Sequence, residues 1–218
     1  MSQKWAVGLG IALVLVLSLP AGAAIVRGEL LIAPMIGTGV PLGDYPTTSF
    51  GDKIQVGFGF GAQAERMVTD RIGLGAAFAV NFNEFDNQFI QDSLKHFSGG
   101  RGAKPDYNWR TMQLSAHGRY YFNPQATVNV FGQLGFGAYV DKFSSNSRYD
   151  RSNGVVYEVK RSDTRTDLGV SAGPGASIRT SEYTRIVVAA IINNVFTGGK
   201  NLRFVSFSAG LVFRIPAQ

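Results

Sequence analysis

Residues 54–65 read Ile-Gln-Val-Gly-Phe-Gly-Phe-Gly-Ala-Gln-Ala-Glu. Every even position is apolar, and every odd position is Gly or polar. A side-chain period of two is that of a β-strand with one greasy face and one small or polar face. The pattern recurs on both sides. Ile72, Leu74, Ala76, Phe78, Val80 and Phe82 alternate with Gly, Ala and Asn, and Met112, Leu114, Ala116, Gly118, Tyr120 and Phe122 alternate with Gln113, Ser115, His117 and Arg119. Val128 to Val140, Leu168 to Ile178 and Val205 to Ile215 behave alike. Stretches 29–38 and 184–193 are apolar on both faces, so alternation leaves their orientation open. The count is eight strands, each long enough to cross an outer membrane when tilted.

Composition narrows the class. The chain has 218 residues, of which 45% are hydrophobic and 17% charged, with 27 Gly. A helical membrane protein needs spans of about 20 apolar residues, and a typical soluble domain carries about 25% charged residues. Absence of Cys excludes a disulfide scaffold, thiolate metal sites and a lipoprotein anchor. The net charge of +6 is read as scattered loop and rim charge, with no like-charge block of the kind that grips nucleic acid. Lys4, the apolar run 5–19, Pro20 and Ala21-Gly22-Ala23 form a Sec-type signal peptide pattern. Residues 1–23 are expected to be a cleaved leader and 24–218 the mature domain, with no length left for an appended peptidoglycan-binding domain.

Alternation does not say which face is outside, because a soluble lipocalin-like barrel also alternates. Three features point the apolar face at lipid. The other face is Gly, Ser, Ala, Gln and Asn with few charges, a poor soluble surface but suited to a narrow lumen. Connections alternate long (39–52, 83–107, 142–165, and a medium one at 194–201) and short (67–70, 123–125, 180–183). Aromatic residues gather near strand ends: Phe82, Phe85, Tyr120, Tyr121, Phe122, Tyr183, Phe204 and Phe213. The predicted fold is therefore all-β: an eight-stranded antiparallel transmembrane β-barrel, an up-and-down meander entered from the periplasm.

At this point the chain resembles the OmpX/OmpW-like family of small outer-membrane β-barrels, over essentially all of its mature length. Ser208-x-Gly210-x-x-Phe213-x-Ile215 looks like the C-terminal signal read by the barrel-assembly machinery, and 119–124 is similar to a strand-to-turn junction common in the family. The resemblance implies a monomer in the bacterial outer membrane, contacting lipid and lipopolysaccharide.

Two local expectations are specific. Pro34 and Pro174 fall inside strands, where each removes a ladder donor; a bulge or kink is expected at Pro174, between two Gly. Ser152-Asn153-Gly154 is a turn signal. A three-residue loop there preserves facing, opposes Tyr149 to Tyr157, Arg148 to Glu158 and Asp141 to Arg165, and predicts a hairpin protruding beyond the membrane.

The expected lumen polar network is Gln63, Glu65, Arg71, Gln113, His117, Arg119, Asp167, Arg179 and Arg214. It can act as a hydrogen-bonded plug or line a thin pore; the plug is expected, since eight strands leave an interior about filled by side chains. The four arginines are expected near the periplasmic rim, partly paired with Glu65. Ser115-x-His117 raises a lipid-modifying enzyme, but alternation turns His117 away from lipid. No cofactor or metal is implied, as no ligand spacing, nucleotide loop or nucleophile elbow occurs. Loop residues Phe89, Ile90, Leu94, Phe97, Phe143, Tyr149, Val155, Val156 and Tyr157 either pack on one another or form an adhesive surface for an extracellular ligand. The leading expectation is a non-enzymatic barrel that supports the outer membrane and presents its loops; the alternative is a narrow channel for ions or small hydrophobic solutes.

Overall fold

The computed structural model describes residues 25–42, 56–84, 103–150, 156–198 and 201–216. The expected leader, the loop residues Phe89, Ile90, Leu94, Phe97 and Val155, and the Asn153-Gly154 turn lie outside them. The strands are β1 Leu30–Pro41, β2 Phe58–Met67, β3 Ile72–Glu84, β4 Ala103–Tyr121, β5 Val128–Asp150, β6 Val156–Arg179, β7 Thr184–Phe196 and β8 Leu202–Ile215. They form a closed barrel in chain order. All neighbours are antiparallel, including β1 with β8.

The registers fix the barrel's dimensions. Leu30 opposes Arg66, then the path runs through Leu74, Gly118, Leu134, Ala172, Ile192 and Val205 back to Val40. One circuit thus returns ten residues further along β1. For eight strands with a rise of about 3.3 Å and a spacing of about 4.8 Å, that stagger gives a tilt of about 41° and a backbone radius of about 8 Å. Side chains reaching in from opposite walls meet across such a tube.

The greasy face is outside. Phe58, Phe60, Leu74, Leu114, Leu134, Phe136, Ile192 and Phe207 are all exposed. Tyr120, Phe122, Tyr183 and Phe213 stand exposed near the periplasmic strand ends, a place where amphipathic rings suit the lipid–water boundary. Phe204 and Tyr121, grouped with that girdle from sequence, turn inward instead and are buried. Phe204 lies at an even position of β8, whose lumen face is even, and its ring meets Tyr139 edge-on at 6.2 Å.

The two strands that alternation could not orient now have faces. Leu31, Ala33 and Met35 of β1 turn inward, as do Arg185, Val187, Ala189, Ile191, Asn193 and Val195 of β7. One wall of the lumen is therefore apolar. It carries a buried cluster of Leu31, Ala33, Val187, Ala189, Ile191 and Val212, closed at the base by Ile25 and Met67.

Both prolines sit where ladders are interrupted. Pro34 pairs with Ala62 of β2, while pairing with β8 stops at Ile32–Phe213 and resumes at Met35–Gly210. The Pro34 carbonyl lies against Gly210 of β8. In an antiparallel strand the N and C=O of one residue point to the same neighbour, so the missing donor also faces β8. Pro174 behaves the same way toward β7, where pairing skips from Ala172–Ile192 to Gly175–Ala189. The register is unchanged across that gap, so of the bulge or kink expected at Pro174 the bulge does not form; two rungs are lost.

The hairpin register is the expected one: Tyr149 opposes Tyr157, Arg148 opposes Glu158 and Asp141 opposes Arg165. β4, expected to be loop up to Tyr107, instead begins at Ala103, paired to Tyr149 of β5. The protruding element is thus a three-stranded sheet of β4, β5 and β6.

Candidate functional site

The site is the lumen. Odd residues of β2 to β7 and even residues of β8 project into it, so its contents follow from parity alone.

Near its periplasmic end Arg119, two residues from the end of β4, reaches across to β2 and β5. It donates from Nη1 to Glu65 Oε2 (3.1 Å), from Nη2 to Gln63 Oε1 (2.6 Å) and from Nε to Gln133 Oε1 (2.8 Å), and its guanidinium lies 4.5 Å from the Phe131 ring centroid. The Tyr121 hydroxyl donates to Glu65 at 2.9 Å, and His117 Nε2 stands 3.6 Å from the same carboxylate. Glu65 is 2% exposed. Gly73 makes the space it occupies: a Cβ there would run into its Oε1 and sit 2.5 Å from Cδ.

Beneath this knot, Arg214 grips Glu29 through Nε (3.2 Å) and Nη2, and donates to the Glu182 carbonyl at 2.9 Å. Arg179 donates to the Gln125 carbonyl. It stands directly across from Arg185. Toward the extracellular mouth Asp141 accepts from Trp109 Nε1 (3.0 Å) and Thr111 Oγ1 (2.5 Å). Tyr139 donates to Asn193, which donates to Ser206. Asp167 pairs with Arg165 at 2.6 Å.

Between this knot and the mouth lies a cavity of about 100 Å³. Gln63, Gln113, Asn81 and Ser115 line one side and Met35, Ala189 and Ile191 the other.

Of the sequence-expected network, Gln63, Glu65, His117, Arg119, Arg179 and Arg214 are buried in the lumen. Gln113 is half-buried there, bonded to Ser115, and Asp167 lies higher. Arg71 is a correction. It is exposed on the β2–β3 turn, 3.4 Å from the Tyr120 hydroxyl, because β3 starts one residue after it at Ile72. Of the expected assembly signal, Phe213 and Ile215 face outward, and Ser208 and Gly210 face the lumen side. Sequence reasoning missed Glu29 and Arg185. Barrel closure was a usable signal for the first, since closing the sheet sets the start of β1 beside the end of β8, where Arg214 stands. Arg185 was hidden by the two-sided apolarity of β7. Among the described residues no group of His, Asp and Glu is arranged to hold a metal ion.

The sequence matches the outer membrane protein beta-barrel domain over residues 9–214. No curated protein matches it. Similar solved structures include Ail, the attachment invasion locus protein of Yersinia pestis, in complex with the heparin analogue sucrose octasulfate (15% identity, 87% of this chain and 99% of that chain, TM-score 0.51). Others are outer membrane protein OprG of Pseudomonas aeruginosa (12% identity, 90% and 99%, TM-score 0.52) and a major outer membrane protein of Thermus thermophilus (14% identity, 85% and 99%, TM-score 0.52). At these identities the likeness is one of fold.

Proposed function

This chain belongs to the outer membrane protein beta-barrel domain family and spans the bacterial outer membrane, and we propose that it is a non-enzymatic surface barrel with a plugged lumen. It supports the membrane and presents the β4–β5–β6 sheet for an extracellular ligand. The observation that carries the reading is Arg119, held by bonds to three side chains on two other strands and stacked on Phe131. A cation fixed this way in a tube of about 8 Å backbone radius leaves no water column beside it. His117 supports the non-enzymatic reading, since it faces Glu65 inside the barrel, away from lipid.

Planar-bilayer recording of the refolded barrel is the test. Silent membranes are expected; stable single-channel steps would replace this reading with the second one, a narrow channel. That second reading draws on the central cavity, whose Met35–Ile191 side suits a small hydrophobic solute. A deletion strain should become more sensitive to detergent, as loss of a membrane-supporting barrel requires. Residues 1–23 are proposed as the export leader, to be checked by mature N-terminal sequencing that begins at Ala24. Ser208, Gly210, Phe213 and Ile215 are proposed as the assembly signal. Outer-membrane lipid and lipopolysaccharide are the proposed partners of the outer belt.

A further inference from the structure

At the periplasmic base of the lumen the charges do not balance. Among the described residues, four guanidiniums (Arg119, Arg179, Arg185, Arg214) face two carboxylates (Glu29, Glu65). Both carboxylates are committed, Glu29 to Arg214 and Glu65 to Arg119 and Tyr121. Arg185 is 1% exposed. Its one hydrogen bond runs from Nη1 to Ser177 Oγ at 3.5 Å, and its Nε and Nη2 meet no acceptor. It also stands directly opposite Arg179 on the same face, the placement in which like charges repel most. Asn129, fully buried and directly across from Ser177, has no bond to either amide atom.

Arginine does not escape by losing its proton, and a buried charge without a partner costs several kcal/mol. From this geometry we infer that the base of the lumen binds a small inorganic monoanion, of chloride type, on Arg185. Its seat is the small cavity of about 10 Å³, room for one body of roughly water size, that Arg185 and Ser177 share with Arg119. The donors there are the Arg185 Nε and Nη2 and the Ser177 hydroxyl, and Asn129 stands on the neighbouring strand across from Ser177. The remaining walls are apolar, Leu31, Val187 and Val212 among them, or belong to the knot, where Gln63 is bonded to Arg119 and Tyr121 to Glu65; the small space and the engaged polar walls favour a single-atom anion over a polyatomic one. Glu65 on the same cavity limits the charge it accepts to one. The site stands whether or not the lumen conducts.

The test uses the whole refolded barrel in detergent. Its thermal midpoint is read by gel mobility at fixed pH and ionic strength, with sodium chloride replacing sodium gluconate in steps. A saturable rise of roughly 5 °C is expected at chloride well above its dissociation constant. The rise should vanish in Arg185→Met, and in Ser177→Ala its half-point should move to about fivefold higher chloride, as for loss of one hydrogen bond. Crystals grown in bromide should carry an anomalous peak within hydrogen-bonding reach of Arg185 Nε and Nη2. Equal midpoints in chloride and gluconate would overturn the inference. So would a chloride response that survives Arg185→Met, or density at Arg185 that scatters as water in bromide. If Arg185→Met does not fold, the Ser177→Ala titration and the bromide map decide.

Discussion

Substituting Arg119→Met keeps much of the side chain's volume and removes its charge. In the barrel that guanidinium supplies Glu65 with a hydrogen bond of 3.1 Å and holds Gln63 and Gln133. After the change, Glu65 stays buried with the Tyr121 hydroxyl at 2.9 Å and the His117 imidazole at 3.6 Å. Deleting one partner of a buried ion pair costs about 3–5 kcal/mol. The Tyr121 bond survives, and Met packs well on Phe131, so the low end, about 3 kcal/mol, is expected. Glu65→Gln leaves the cation with neutral acceptors and should cost about 2 kcal/mol. The double variant has no buried charge at this point. Replacing both partners is far milder than removing one, so it should cost about 2 kcal/mol rather than the additive 5, a coupling of about 3 kcal/mol. Equilibrium urea unfolding in lipid vesicles, followed by Trp109 emission and gel mobility, measures all three. A double variant whose cost equals the sum of the singles within about 0.5 kcal/mol would show that Glu65 and Arg119 are independent, and the plug argument would fall with it.

Gly73→Ala drives a Cβ into the Glu65 carboxylate and should destabilise by about 1–3 kcal/mol, as overpacking does; unfolding in vesicles reads it, and an unchanged midpoint would mean that Glu65 has room to move. Pro34→Ala returns an N–H aimed at β8. The new bond is worth about 1 kcal/mol and the loss of chain restriction takes back roughly as much, so stability should hardly move while the amide at position 34 becomes protected from hydrogen exchange; fast exchange there would refute the assigned direction. Asp141→Ala removes the acceptor of Trp109 and Thr111 and should cost about 2–3 kcal/mol, the range for hydrogen bonds to a charged group, with altered Trp109 emission in the folded barrel as the accompanying signature.

The sequence by itself determined that the chain closes a barrel with its greasy face outward. Period-two alternation assigns each side chain to one of two faces, and a second face made mostly of Gly, Ser, Ala, Gln and Asn suits a tight interior better than a soluble surface. It also determined the β5–β6 register, because Asn153-Gly154 and the need to keep like faces together admit few loop lengths. Only the tertiary structure decided the lumen's contents. β1 and β7 carry apolar residues on both sides, so nothing local tells lipid from lumen, and their inward sets are fixed by hydrogen-bond register to neighbours far away in the chain. The same holds for Glu29 with Arg214, which lie 185 residues apart in sequence and meet because the last strand must pair with the first. The proline gaps, likewise, depend on which neighbour each missing N–H faces. Alternation is a property of single strands; which charges share the lumen is a property of the closed circuit, set by the ten-residue stagger that one turn around the barrel accumulates.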